Sequence, residues 1–77
     1  MNKIRRKRIA EIIDALSDLQ ETINMIREEE DESRENMPEN MQYSDRYYAS
    51  EECSDWLEEA YESIDSALDT LSNITEG

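Results

Sequence analysis

Asn36-Met37-Pro38-Glu39-Asn40-Met41-Gln42-Tyr43 is the one stretch of this chain that a helix cannot run straight through, and its place near the middle of 77 residues decides the fold. Pro38 has no backbone N–H, and its ring pushes Met37 out of the helical region. Asn36 and Asn40 are turn formers. Pro38 also suits the first position of a short extra turn. Ser44 then offers an N-cap, and Asp45 complements the dipole of a helix starting there.

Outward from this break, no Gly or Pro interrupts residues 3–35 or 44–75. In the first span Ile9, Ile12, Leu16, Leu19, Ile23 and Ile26 recur in steps of three and four, an a/d heptad stripe with Ile13 beside it. In the second, Leu57, Ala60, Ile64, Ala67, Leu71 and Ile74 repeat that spacing, extended backward by Cys53 and followed by Gly77 as a stop. Two helices of similar length on either side of residues 36–43 predict an all-α, antiparallel two-helix hairpin: helix 3–35, turn, helix 44–75. The stripe places Cys53 in the seam as a buried thiol.

A chain this short makes one domain, in the size range where one core supplies only ~3–5 kcal/mol and oligomerisation is a common remedy. Ile13, Trp56, Tyr61 and Leu68 fall beside the predicted seam. A homodimer closing a four-helix bundle would cover them.

Charge is the other strong signal. Lys3, Arg5, Arg6, Lys7 and Arg8 hold five of the eight basic residues, while all 21 carboxylates follow them, so the formal net charge of −13 understates the acidity of the rest. After Arg46 there is no Lys or Arg. Glu51, Glu52, Asp55, Glu58, Glu59, Glu62, Asp65 and Asp69 lie opposite the predicted seam, like-charged at i,i+3 and i,i+4. Eight such pairs cost ~2–4 kcal/mol at low salt. Carboxylates one turn apart match the charge density of a phosphate backbone. This face is therefore a candidate for a protein partner with a basic surface, with a DNA mimic as the sharp form of that reading. Direct nucleic-acid binding is not expected. The basic cluster reads as neutralising the open end of the hairpin.

Catalysis and cofactors are not expected. The chain has no His, and a two-helix hairpin offers no recess in which a base could activate a nucleophile. Glu28 to Glu32 point in successive directions round a helix and do not wrap one point as a calcium loop does. One Cys excludes an internal disulfide, and no Cys/His set suits zinc. The basic start does not read as a signal peptide, because Glu11, Asp14 and Asp18 interrupt the apolar run. No stretch is apolar enough for a membrane span. A cytoplasmic setting is expected. Met37, Met41, Tyr43, Tyr47 and Tyr48 cluster around the turn, a composition found in interface cores, and form a candidate binding tip.

The turn Asn36-Met37-Pro38-Glu39-Asn40-Met41-Gln42, with Ser44 and Arg46 after it and an acidic heptad helix following, resembles a set of short acidic helical-hairpin proteins from Gram-positive bacteria and their phages. Their shared features are a basic start, an Ile/Leu helix, an N-M-P-E-N-L-Q-like turn and a second helix with alternating Ala and Leu. The resemblance implies a phage or mobile-element context, in which small acidic proteins inhibit host nucleases or defence systems. It carries over no site residues. The competing expectation is a structural or assembly hairpin that works through its apolar seam and aromatic tip.

Overall fold

In the computed structural model, which describes residues 1–76, the chain is two long helices and a turn. α1 spans Lys3–Glu35 and α2 spans Asp45–Glu76, with a single 3-10 turn at Glu39–Met41 between them. Gly77, expected as the stop, lies outside the described residues. The helices pack side by side in a rod of 60 × 14 × 13 Å.

The local signals act as their chemistry requires. Asn2 caps α1, its Oδ1 accepting from the Arg5 N–H at 2.8 Å. At the far end the Asn36 N–H donates to the Glu32 carbonyl at 3.1 Å and the Met37 N–H to the Arg34 carbonyl at 3.2 Å. Pro38, extended at ψ 149, starts the 3-10 turn. Ser44 opens α2, with Oγ accepting from the Tyr47 N–H at 3.3 Å and its carbonyl from the Tyr48 N–H at 3.1 Å. Tyr43 sits between them at φ 65, the left-handed region where a side chain costs ~1–2 kcal/mol. Nothing in the sequence pattern marked that residue for the role.

The seam between the helices is rotated from the heptad expectation. On α1 it follows half-buried Arg6, Ile9, Ile13, Leu16, Ile23, Arg27, Glu30 and Arg34, with Gln20 8% exposed. Ile12, Leu19 and Ile26, expected inside, are 49%, 58% and 46% exposed. α2 is turned less: Ser50 and Ser54 are buried, and Leu57, Ala60, Ile64, Leu68, Leu71 and Ile74 are half-buried, whereas Ala67 is exposed. Cys53, expected as a buried thiol, is exposed. Ile13 and Leu68, expected beside the seam, are part of it, while Trp56 stays 58% exposed.

The physical reason lies in α1, which carries two overlapping three-four stripes sharing Ile9, Leu16 and Ile23. One is completed by Ile12, Leu19 and Ile26, the other by Ile13, Gln20 and Arg27. Polar partners on α2 select the second. Gln20 Nε2 donates 3.2 Å to the Tyr61 carbonyl and 3.2 Å to Asp65 Oδ1. Arg34 Nη1 donates to Ser54 Oγ at 2.9 Å and Ser50 Oγ at 3.3 Å. Among the described residues no apolar side chain is buried, and the three buried residues are Gln20, Ser50 and Ser54.

Candidate functional site

That rotation gives the rod two unlike long faces. At 100° per residue, Ile12, Leu19 and Ile26 stay on one side of α1, followed by Ser33. On α2 Ala49, Cys53, Trp56, Ala60, Ser63, Ala67, Thr70 and Ile74 form the equivalent row. Both rows face the same way, because Ser33, Ala49 and Cys53 line one shallow hollow at the turn end together with Met37, Met41, Glu30 and Arg46. A second hollow at the open end is lined by Met1, Arg5, Arg8, Ile9 and Ile12. The surface between these hollows is apolar or small along both helices.

The opposite face holds the expected acidic residues. Glu51, Asp55 and Glu58 of α2 line a hollow with Arg27, Asp31, Arg34 and Ser54. Glu58 and Glu62 line the next one with Asn24, Arg27 and Tyr61. Asp65 and Asp69 continue the row in helical phase, with Asp65 accepting from Gln20. Glu52 and Glu59 sit one residue, 100°, further round and stand on the outer back of α2, so six of the eight expected carboxylates share this face. α1 adds Glu21, Glu28, Asp31 and Glu35 on the same side.

The floor of this face belongs to the other helix and has no signal within α2 itself. Half-buried Arg27 and Arg34 reach it from α1. Arg34 Nη2 pairs with Asp31 Oδ1 at 2.8 Å. Ser54 Oγ donates to Asp31 Oδ1 and Ser50 Oγ to Glu30 Oε1, each at 2.7 Å. The Ser54 hydroxyl, then the Arg34 guanidinium, hold the Asp31 carboxyl below its ordinary value against the opposing effect of desolvation. Burial works against the Arg34 charge, but the bond to Asp31 and the charges of Asp31, Glu51 and Tyr47 together outweigh it, and its pKa is raised. Arg27 Nη2 donates to Asn24 Oδ1 at 2.9 Å. The signal for this clamp was available in the sequence: Arg27, Glu30 and Arg34 extend the Ile13–Gln20 stripe by the same three-four steps, pointing at Ser50 and Ser54.

At the tip the expected residues divide. Tyr43, Tyr47 and Tyr48 form a ring cluster, with centroids 5.6 Å apart for Tyr43–Tyr47, 6.3 Å for Tyr43–Tyr48 and 5.9 Å for Tyr47–Tyr48. Desolvation first, and then the charge of Glu51, push the Tyr47 phenol up. Met37 and Met41 line the apolar-side hollow with Cys53. Among the described residues there is no group of three or more His, Cys, Asp or Glu arranged to hold a metal ion. No helix among them is long and apolar enough to cross a membrane. No family model, characterised protein or solved structure shows significant similarity to the chain.

Proposed function

We propose that this hairpin is a non-enzymatic interaction protein of phage or mobile-element type, which uses its acidic face to occupy the basic surface of a host protein in the cytoplasm. The fitting partner is one that binds nucleic acid through Lys and Arg, so that Glu51, Asp55, Glu58, Glu62, Asp65 and Asp69 stand in for successive phosphates and inhibit it. In this reading the hairpin pairs with a second copy into a four-helix bundle, leaving the acidic faces outward.

The observation that carries the reading is the segregation of charge. Along α2 the carboxylates on this face come one helical turn apart with no cation among them, and the cations beneath, Arg27 and Arg34, are half-buried in the floor. Like-charge neighbours on a helix cost stability that interspersed Lys would recover.

Asp55→Lys, Glu62→Lys and Asp69→Lys in one variant test it without touching the bonds of Asp31, Arg34 or Gln20. A partner captured from host lysate by the native protein, and released by stepped salt, should be lost by the variant. Its thermal midpoint should rise or hold, as repulsion is removed. Undiminished capture of that partner by the variant would overturn the reading.

The exposed row Ile12, Leu19, Ile26 and Trp56 favours a second reading, an assembly hairpin whose charge only keeps it soluble. Salt separates the two, since complexes made by the acidic face weaken steeply with ionic strength and apolar ones do not.

A further inference from the structure

The apolar face raises the question of what covers it and in which orientation. The rod exposes 6031 Å², whereas a compact monomer of 9.1 kDa exposes roughly 4,900 Å². The excess, roughly 1,100 Å² per copy, is what each partner of a stable homodimer buries when the total is about 2,000 Å² or more. A face of that size, on a chain with no buried apolar residue among those described, fits a second copy of itself.

Charge then decides between the two ways of stacking one hairpin on another. α1 is charged against its own dipole at both ends. Lys3, Arg5, Arg6, Lys7 and Arg8 crowd the positive N-terminus, and Glu28, Glu29, Glu30, Asp31 and Glu32 crowd the negative C-terminus. α2 relieves this only in part on the apolar face: Arg5 and Arg8 flank the open-end hollow, while at the turn-end one Arg46 stands with Glu30. Stacking with both turns at the same end would place like ends together. Stacking with turns at opposite ends places the basic end of each α1 over the acidic end of the other.

We infer that the protein is an antiparallel dimer of hairpins, with its two-fold axis passing at Leu19 and the turns at opposite ends; this rests on the four-helix assembly proposed above and fixes its geometry. The row Ile12, Leu19, Ile26 is symmetric about Leu19, so apolar overlap is greatest in this register. Ile12 meets Ile26 of the second copy, Leu19 meets its own equivalent, and Arg8 comes opposite Glu30. Gln20 reaches Tyr61 and Asp65, so the level of Leu19 on α2 is near Ser63. The same axis therefore brings Ala60 against Ala67, where small side chains let the two α2 helices approach closely, and seats Trp56 over Thr70. Arg46 falls near the C-terminal end of the other α2, where Glu76 and the helix dipole favour a cation.

Three measurements test this. Sedimentation equilibrium should give a mass of two copies at micromolar concentration. Leu19→Cys with Cys53→Ala should form an inter-copy disulfide under mild oxidation with helicity retained. Ile12→Cys and Ile26→Cys, each with Cys53→Ala, should link when mixed and little when alone. Arg8→Glu should weaken the dimer about tenfold at low salt, because two exposed pairs are reversed. Adding Glu30→Arg should restore it. Arg8 and Glu30 of one chain are about 33 Å apart along α1, so that rescue acts only between copies and does not depend on the cysteine variants folding. A dimer in which Leu19→Cys links to Ser63→Cys and not to itself would overturn the orientation while leaving the assembly standing. A one-copy mass would overturn both. Either result leaves the acidic-face reading to be judged by its own charge variant.

Discussion

At the turn half of the seam, Arg34 ties Asp31, Ser50 and Ser54 together with bonds of 2.8–3.3 Å, while in the open half Ile9, Ile13 and Leu16 share the seam with Ile64, Leu68 and Leu71. The two halves contribute different things. Aliphatic packing drives association but accepts many rotations, since Ile12 and Ile13 both lie next to the Ile9–Leu16 line. Directional bonds accept few. The clamp and Gln20 therefore choose which face of each helix turns inward, and that choice leaves the Ile12, Leu19, Ile26 row unused within one hairpin.

The strongest way to break this comparison is to make the unused row polar. Ile12→Gln, Leu19→Gln and Ile26→Gln together should dissolve the dimer and lower the thermal midpoint by tens of degrees, since each buried aliphatic removed costs ~2 kcal/mol or more. Gln is at least as good a helix former as Ile. Were the row merely solvent-exposed, the triple variant would change stability by less than ~0.5 kcal/mol per site. Circular dichroism melts at two protein concentrations separate these outcomes.

Next in size is the clamp itself. Arg34→Leu leaves Asp31 without its cation and Ser50 and Ser54 without their donor, and should cost ~1–3 kcal/mol in urea unfolding. Arg34→Lys should recover only part of that, because an ammonium does not fork between Asp31 and the two serines as a guanidinium does. If both variants unfold like the native protein, the rotation is set by the aliphatic half and the clamp is incidental.

The hairpin was legible because its signals are local: Pro38 stops one helix, Ser44 starts the next, and apolar residues recur with helical spacing. The seam was legible only to within one position. Reading Ile12 and Leu19 as inside followed the rule that apolar residues define the a/d line. The structure instead places Gln20, Arg27 and Arg34 on that line, and Gln20 and Arg34 are satisfied there by partners on α2. Cys53 went wrong with it, since its assignment depended on the same register. The acidic row was legible in α2, but its floor was not. Arg27 and Arg34 belong to the other helix and reach this face only through the packing.

The smallest expected effect sharpens the account of the clamp by titrating it. The Ser54 hydroxyl and then Arg34 hold the Asp31 carboxyl below its ordinary value, near 3.9 in an unfolded chain. A carboxyl depressed in the folded state contributes stability above the unfolded value and loses it as pH falls through the lower folded one. Asp31→Asn keeps an oxygen to accept from Ser54 and removes the titration. The stability gap between native protein and variant should therefore be constant from pH 7 to about 4.5 and close below pH 4. The Asp31 side chain is 35% exposed, so solvent screening limits the gap to less than ~1 kcal/mol. Urea midpoints at pH 7, 4.5 and 2.5 measure it. A gap that persists at pH 2.5 would mean that Asp31 acts through shape and neutral hydrogen bonding rather than through its charge. The rotation of the helices would then be set by Ser50, Ser54 and the guanidinium without it.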